Sequence, residues 1–188
     1  MRMLFDLNMS RNEVVWIFRD LLRCSGCRRC ELACSLHHEG KMWPEASRIR
    51  VFMLFPGAEV PHLCSQCHDY PCVASCPVKA LSVDNSTLAV KVDREKCVSC
   101  GKCIEACPGT VPFLHPGDNK ATICDLCGGD PECVKVCREA RFDALWLLRQ
   151  RKEWMGKNLT RKLFAQKPDE LTKDIAENIF GEKAKELI

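Results

Sequence analysis

An α+β fold, organised around bound metal more than around a large apolar core, is predicted for this chain of 188 residues. Three observations predict it. Sixteen cysteines fall in four groups of four between residues 24 and 137. The segments between the groups carry short alternating patterns punctuated by turn residues. Residues 138–188 hold no cysteine and read as helical.

The cysteine groups come first. They are Cys24, Cys27, Cys30 and Cys34; Cys64, Cys67, Cys72 and Cys76; Cys97, Cys100, Cys103 and Cys107; and Cys124, Cys127, Cys133 and Cys137. Groups one and three read C-x2-C-x2-C-x3-C, and the other two lengthen the gap between their second and third cysteines. No cysteine is left over. Three closely spaced cysteines can wrap three corners of a 4Fe-4S cubane, and the fourth follows about one helical turn later. In two-cluster bacterial ferredoxins that fourth cysteine ligates the other cluster, so such motifs work in pairs. Pro77 and Pro108 follow Cys76 and Cys107 and stop the short helices there. Groups two and three therefore read as one two-cluster unit. All sixteen cysteines are candidate iron ligands, and the expected cofactors are four 4Fe-4S clusters.

Around them, Gly26, Ser99, Gly101, Gly128 and Gly129 stand where backbone must approach inorganic sulfide. Val73, Val98 and Ile104 are expected to line the clusters with dry surface. Arg48 to Met53 alternates like a strand, and Leu81 to Val92 reads as a hairpin turning at Asp84, Asn85 and Ser86. Ala144 to Leu148, with Trp154, is expected to be helical. So is Pro168 to Gly181, with proline at its start, Asp169 and Glu170 in its first turn, and Leu171, Ile175 and Ile179 on one face. This tail either packs on its own cluster domain or docks to a partner.

Other function classes are disfavoured. The 46% hydrophobic fraction includes the sixteen cysteines, which leaves few residues for a conventional core. Metal binding that occurs only in the folded state would supply folding energy. A balance of 28 basic and 25 acidic residues does not suggest nucleic acid. Asp6, Arg11, Glu13, Arg19 and Asp20 interrupt any apolar run near the start, so no secretory signal or membrane span is expected there. The expected location is the cytoplasm, where thiols stay reduced and disulfides are rare. Zinc sites usually part their two C-x2-C pairs by a dozen or more residues, unlike these compact groups. His37, His38, His62, His68 and His115 lie near the cysteines, but four complete sets need none of them. No dinucleotide fingerprint, phosphate loop or nucleophile motif is present, so the chain is not expected to be an enzyme by itself.

Across residues 24–137 the chain resembles the four-cluster iron–sulfur subunits of molybdenum and tungsten oxidoreductases. One stretch is more particular: Cys24-Ser25-Gly26-Cys27, Glu31-Leu32-Ala33-Cys34, His38-Glu39-Gly40 and Ser47-Arg48-Ile49-Arg50-Val51. It is similar to the small subunits that accompany tungsten enzymes of the aldehyde oxidoreductase family, which includes class II benzoyl-CoA reductase. The resemblance implies two ferredoxin-like modules within residues 1–140, one inserted in the other. The inner would span about 60–110 and the outer about 20–59 plus 111–140, with a helical tail over 141–188. It implies that Cys24, Cys27, Cys30 and Cys137 share one cluster and Cys34, Cys124, Cys127 and Cys133 its neighbour. Cys64, Cys67 and Cys72 would join Cys107, and Cys97, Cys100 and Cys103 would join Cys76. It also implies an electron-transfer role beside a large catalytic subunit with a tungsten-pterin or molybdenum-pterin cofactor, and an external carrier such as ferredoxin. Group four departs from the ferredoxin pattern through its longer loop and Arg138 in place of proline. An iron–sulfur subunit of a molybdenum oxidoreductase and a free polyferredoxin are the alternative readings.

Overall fold

The structure, a computed structural model, describes residues 13–55, 58–151 and 166–184. Among them, four antiparallel two-stranded ribbons alternate with short helices. The order is β1 (Glu13–Arg19), α1 (Arg29–Glu39), β2 (Arg50–Phe55), β3 (Ala58–His62), α2 (Pro71–Ala74), β4 (Leu81–Val83) and β5 (Val90–Val92). It continues with α3 (Lys102–Glu105), β6 (Phe113–Leu114), β7 (Ala121–Thr122), α4 (Glu132–Glu139), β8 (Leu145–Arg151) and α5 (Pro168–Phe180). No helix among the described residues is long and apolar enough to cross a membrane.

Three ribbons are local: β2 pairs with β3, β4 with β5, and β6 with β7. The β4–β5 turn forms because the Asp84 carboxylate accepts the N–H groups of Ser86 at 2.9 Å and Thr87 at 2.8 Å, an Asx turn. The fourth ribbon is long-range. β1 and β8 pair in register from Glu13↔Arg151 to Arg19↔Leu145, clasping the two ends of the cysteine-bearing region. The expected helix over Ala144 to Leu148 is therefore a strand. A run of four apolar residues fits either structure, and here the partner strand β1 decides it. Trp154 lies outside the described residues.

The helices carry cysteines from their ends. Cys30 and Cys34 stand four residues apart on α1, and Cys133 and Cys137 likewise on α4; the two helices pack together. Helices α2 and α3 form a smaller pair of the same kind. Gly40 ends α1 with a left-handed φ of 67° and donates its N–H to the Leu36 carbonyl at 3.0 Å.

Three clusters make the core. The largest joins Ile17, Ile49, Val51, Leu63, Leu126, Val134 and Leu145 to Cys30, Cys34, Cys124, Cys133 and Cys137. A second gathers Leu81, Val90, Ala121 and Ile123 around Cys72, Cys97 and Cys103, and Cys64 packs against both. The third contains Trp16, Val60 and Leu171. Leu171 belongs to α5, so this helix spends its apolar face on the chain's own β1 and β3; the Ile179 side chain lies outside the described residues. Leu171→Ala is expected to cost about 2–5 kcal/mol. It should lower the urea midpoint and speed proteolysis within the tail.

Candidate metal centres

Each cysteine group builds its loop from left-handed backbone. The residue just before the second cysteine has positive φ in all four: Gly26 at 68°, Gln66 at 49°, Ser99 at 59° and Leu126 at 59°. A second left-handed residue follows in each loop: Arg28, Tyr70, Gly101 and Gly128. In the fourth loop the left-handed run is continuous from Leu126 through Gly129. Left-handed residues in such turns help to aim successive N–H groups inward, a concavity suited to anionic centres including iron–sulfur sites. At Gly26 the freedom is also spatial, because a Cβ would stand 2.7 Å from Glu59 Cδ.

The thiols gather in four quartets drawn from different groups. Quartet A brings Cys24 to Cys27 and Cys137, with Cys30 beside Cys24 and Cys27. In quartet B, Cys34 faces Cys124, Cys127 and Cys133, and a cavity is lined by all four. Quartet C lines a cavity with Cys64, Cys67, Cys72 and Cys107, closed by Tyr70, Val90 and Ile123. Quartet D does the same with Cys76, Cys97, Cys100 and Cys103. The quartets also meet in order. Cys30 of A interacts with Cys133 of B, Cys64 of C with Cys124 of B, and the cysteines of C and D share the second core cluster. Only Cys27 and Cys100 of the sixteen are exposed, one in each terminal quartet.

All sixteen cysteines are free thiols. Burial first, and then the nearby Cys64 and Cys107, push Cys72 up to about 12. Burial likewise raises Cys64 and Cys127 to about 11, although backbone N–H groups at Gln66 and Glu132 oppose the shift. Cys124 and Cys133 lie well above the ordinary range for the same reason. As thiols alone, these groups resist ionisation. A cationic metal that binds the thiolate form reverses that preference, and disulfide-free, mutually repelling sulfur quartets are the donor set that iron–sulfur clusters use.

Main-chain donors already point at the sulfurs. The four last cysteines of the groups each accept one N–H: Cys34 from Arg48 at 3.3 Å, Cys76 from Ala80 at 3.2 Å, Cys107 from Val111 at 3.4 Å, and Cys137 from Ala144 at 3.3 Å. Cys64 and Cys97 accept from Gln66 and Ala121, each at 3.4 Å.

Polar residues that the sequence did not mark as functional complete the surroundings. Asp125 accepts the Cys127 N–H at 3.0 Å and pairs with Arg48 at 2.6 Å. Burial works against the Asp125 carboxylate, but Arg48 and then His38 hold it below the usual range. His38 Nε2 lies 3.5 Å from Asp125 and 3.8 Å from the Cys127 sulfur. The donor atoms of His37, His38 and Cys127 lie within 4.8 Å of one another, sharing a cysteine with quartet B. Glu31, buried on α1, accepts the Val51 N–H at 2.6 Å and ties α1 to β2. Arg19, fully buried, donates to Ser65 at 2.7 Å, and its charge reaches Cys64. Of the expected apolar lining, Val73 and Ile104 pack beside quartets C and D. Val98 also lines the quartet D cavity, but 59% of it is exposed, so it forms the cavity's outer rim. His62 and His115 are buried, and His68 is exposed.

The fold and its thiol quartets define an iron–sulfur electron-transfer protein. A family profile described as a 4Fe-4S dicluster domain matches residues 56–143. The polyferredoxin-like subunit of aliphatic sulfonate oxidoreductase from Pyrococcus furiosus is 54% identical over 170 residues, covering 90% of this chain and 95% of that protein. The thiosulfate reductase electron transfer subunit of Salmonella typhi is 32% identical over 148 residues, covering 70% of this chain and 74% of that one. A chain of the active-site complex of benzoyl coenzyme A reductase superposes with a TM-score of 0.44 at 24% identity, covering 93% of this chain and 95% of its own length. This chain belongs to the polyferredoxin-like iron–sulfur electron-transfer subunits of oxidoreductases.

His62 links the site to pH. Burial pulls its imidazole from 6.5 down to about 4; the bond to the Gly109 carbonyl at 2.8 Å opposes the shift and Arg19 adds to it. The unfolded chain therefore takes up a proton at His62 before the folded chain does. Stability is expected to fall as pH drops from 6.5 toward 4. In His62→Gln, whose amide can still donate to Gly109, urea midpoints should lose that part of the acid limb.

Proposed function

We propose that this chain carries four 4Fe-4S clusters on its sixteen cysteines and relays electrons between an external carrier and a pterin-bound tungsten centre in a catalytic partner subunit. The observation that carries the reading is the gathering of the thiols into quartets A to D in spatial sequence. Quartet A, Cys24, Cys27, Cys30 and Cys137, would hold one cluster, and quartet B, Cys34, Cys124, Cys127 and Cys133, the next. Quartets C and D would hold the remaining two through Cys64, Cys67, Cys72 and Cys107, and through Cys76, Cys97, Cys100 and Cys103. The protein would then comprise an inner module of about 60–110 inserted in an outer one of about 20–59 plus 111–140, with residues 141–188 as a tail.

Bound clusters would accept and release single electrons, with potentials set by burial, charge and hydrogen bonds to sulfur. The chain supplies each lever. The N–H groups of Arg48, Ala80, Val111 and Ala144 stabilise negative charge on sulfur, which favours the reduced state. Arg19 adds a buried positive charge near quartet C. Tyr70, Val90 and Ile123 limit water there.

The tungsten-pterin partner rests on the resemblance of residues 24–51 to small subunits of the aldehyde oxidoreductase family. The Pyrococcus relative makes an aliphatic sulfonate the first substrate to try with the holo-complex, ahead of benzoyl-CoA and simple aldehydes. Likeness to the thiosulfate reductase subunit supports a second reading, a molybdenum partner acting on sulfur compounds. Reduced thiols in such number suit the cytoplasm of an anaerobe.

Anaerobic purification through this chain should give about sixteen iron atoms per chain beyond the partner's share, with tungsten in fixed ratio. Molybdenum would favour the second reading, and zinc without iron would remove the electron-transfer role. Cys76→Ala should disturb the electron paramagnetic resonance signal of the cluster held by Cys97, Cys100 and Cys103 more than that of its neighbour. Loss confined to the cluster of Cys64, Cys67 and Cys72 would overturn the crossed assignment.

A further inference from the structure

The two terminal quartets reach the surface through very different residues. Quartet A is carried by two segments, residues 22–30 and 137–142, which converge where Cys24 meets Cys137 and where Asp20 N–H bonds the Ala144 carbonyl at 2.8 Å. Five arginines on these segments are exposed: Arg23, Arg28, Arg29, Arg138 and Arg141. Glu139 is the one exposed carboxylate on them; the flanking Asp20 and Asp143, and Glu59 against Gly26, are half-buried. Among the described residues no carboxylate pairs with any of the five. Arg23 lies over the Trp146 ring. The same segments also expose Leu22, at 91%, the Cys27 thiol and Phe142.

Two of these arginines hold unfavourable backbone. Arg28 has φ of 56° and Arg141 of 61°. In quartets B and D the position after the second cysteine is Gly128 or Gly101, and glycine takes that conformation without the penalty a Cβ brings.

Quartet D offers the opposite surface. Its exposed Cys100 stands near exposed Val98 and Val78; of the lysines there Lys96 pairs with Asp93 and Lys102 with Glu105, which leaves Lys79 as the one exposed cation without an ion pair among the described residues of that surface. Permanent subunit interfaces are the more apolar kind, whereas transient redox encounters are small, polar and steered by charge.

We propose that the arginine face around quartet A is the docking site for a small acidic one-electron carrier protein. The inference rests on the electron-relay reading above. The guanidinium groups pair with carboxylates of the carrier, in forked geometry where two oxygens are presented, while Leu22 supplies apolar contact. One electron passes from the reduced carrier, which is oxidised by one, to the chain, which is reduced by one; no proton or bond changes hands.

The test titrates the anaerobically purified, iron-loaded complex with a strongly acidic two-cluster bacterial ferredoxin, and with basic cytochrome c as control. Ferredoxin should bind, and its Kd should rise about tenfold or more from low to moderate salt. Arg28→Gln/Arg29→Gln should weaken binding several-fold. Arg138→Glu/Arg141→Glu, outside the loop of Cys24, Cys27 and Cys30, should weaken it about tenfold or more and flatten the salt dependence. Lys96→Glu/Lys102→Glu at quartet D should leave Kd within about twofold. Iron-loaded arginine variants that bind ferredoxin as tightly as the native complex would overturn the docking face alone. Equal loss from the lysine variant, or preference for cytochrome c, would do the same. A native complex in which this chain holds no iron would overturn the relay and the docking face together.

Discussion

Sixteen sulfurs must be held close together inside a small chain, and every other feature follows from that demand. Close-set thiols repel once ionised and lose solvation when buried, which is why burial heads the causes that raise Cys24, Cys30, Cys64, Cys72, Cys124 and Cys133. The chain meets the demand with inward N–H groups, a buried arginine and short helices that export each last cysteine to another quartet. Strands serve mainly as braces, two residues long in β6 and β7 and seven in β1 and β8. Cysteine sulfur occupies core positions that leucine or isoleucine would fill elsewhere, so the apolar clusters are thin and mixed.

Much of this was legible in the sequence because cysteine spacing is a discrete signal. The turn at Asp84 and the proline-initiated helix from Pro168 were readable from local chemistry, and the strand after Arg48 begins two residues later, at Arg50. Where a pattern was compatible with two structures, a distant partner decided. Leu145 to Leu148 became a strand because Glu13–Arg19, which no local signal marked as its mate, lies alongside. Val98 lines the quartet D cavity as its hydrophobicity suggested, but hydrophobicity alone did not reveal that the tight loop leaves 59% of it exposed.

The polar surroundings were harder to read, since their members become neighbours only in the folded chain. Arg48 and Asp125 are 77 positions apart in sequence, yet their ion pair flanks the sulfurs of Cys34 and Cys127. Asp125 did carry a local hint, as an aspartate two residues before a backbone N–H it could cap. Arg19 carried none, and Glu31 stood out only as part of the Glu31-Leu32-Ala33-Cys34 stretch; each looks like an ordinary surface charge until burial is known.

The β1–β8 clasp sets an order of assembly. Quartets C and D draw on cysteines between 64 and 107, whereas quartet A needs both Cys24 and Cys137, and the clasp needs residues up to Arg151. On the ribosome, the inner sulfurs are all available while the partners of Cys24 and Cys34 are still being made. Closing the longer loop costs more chain entropy and comes later. Although the polypeptide is made from its N-terminus, its thiols can thus gather from the middle outward, and the quartet completed last is the one set among the exposed arginines.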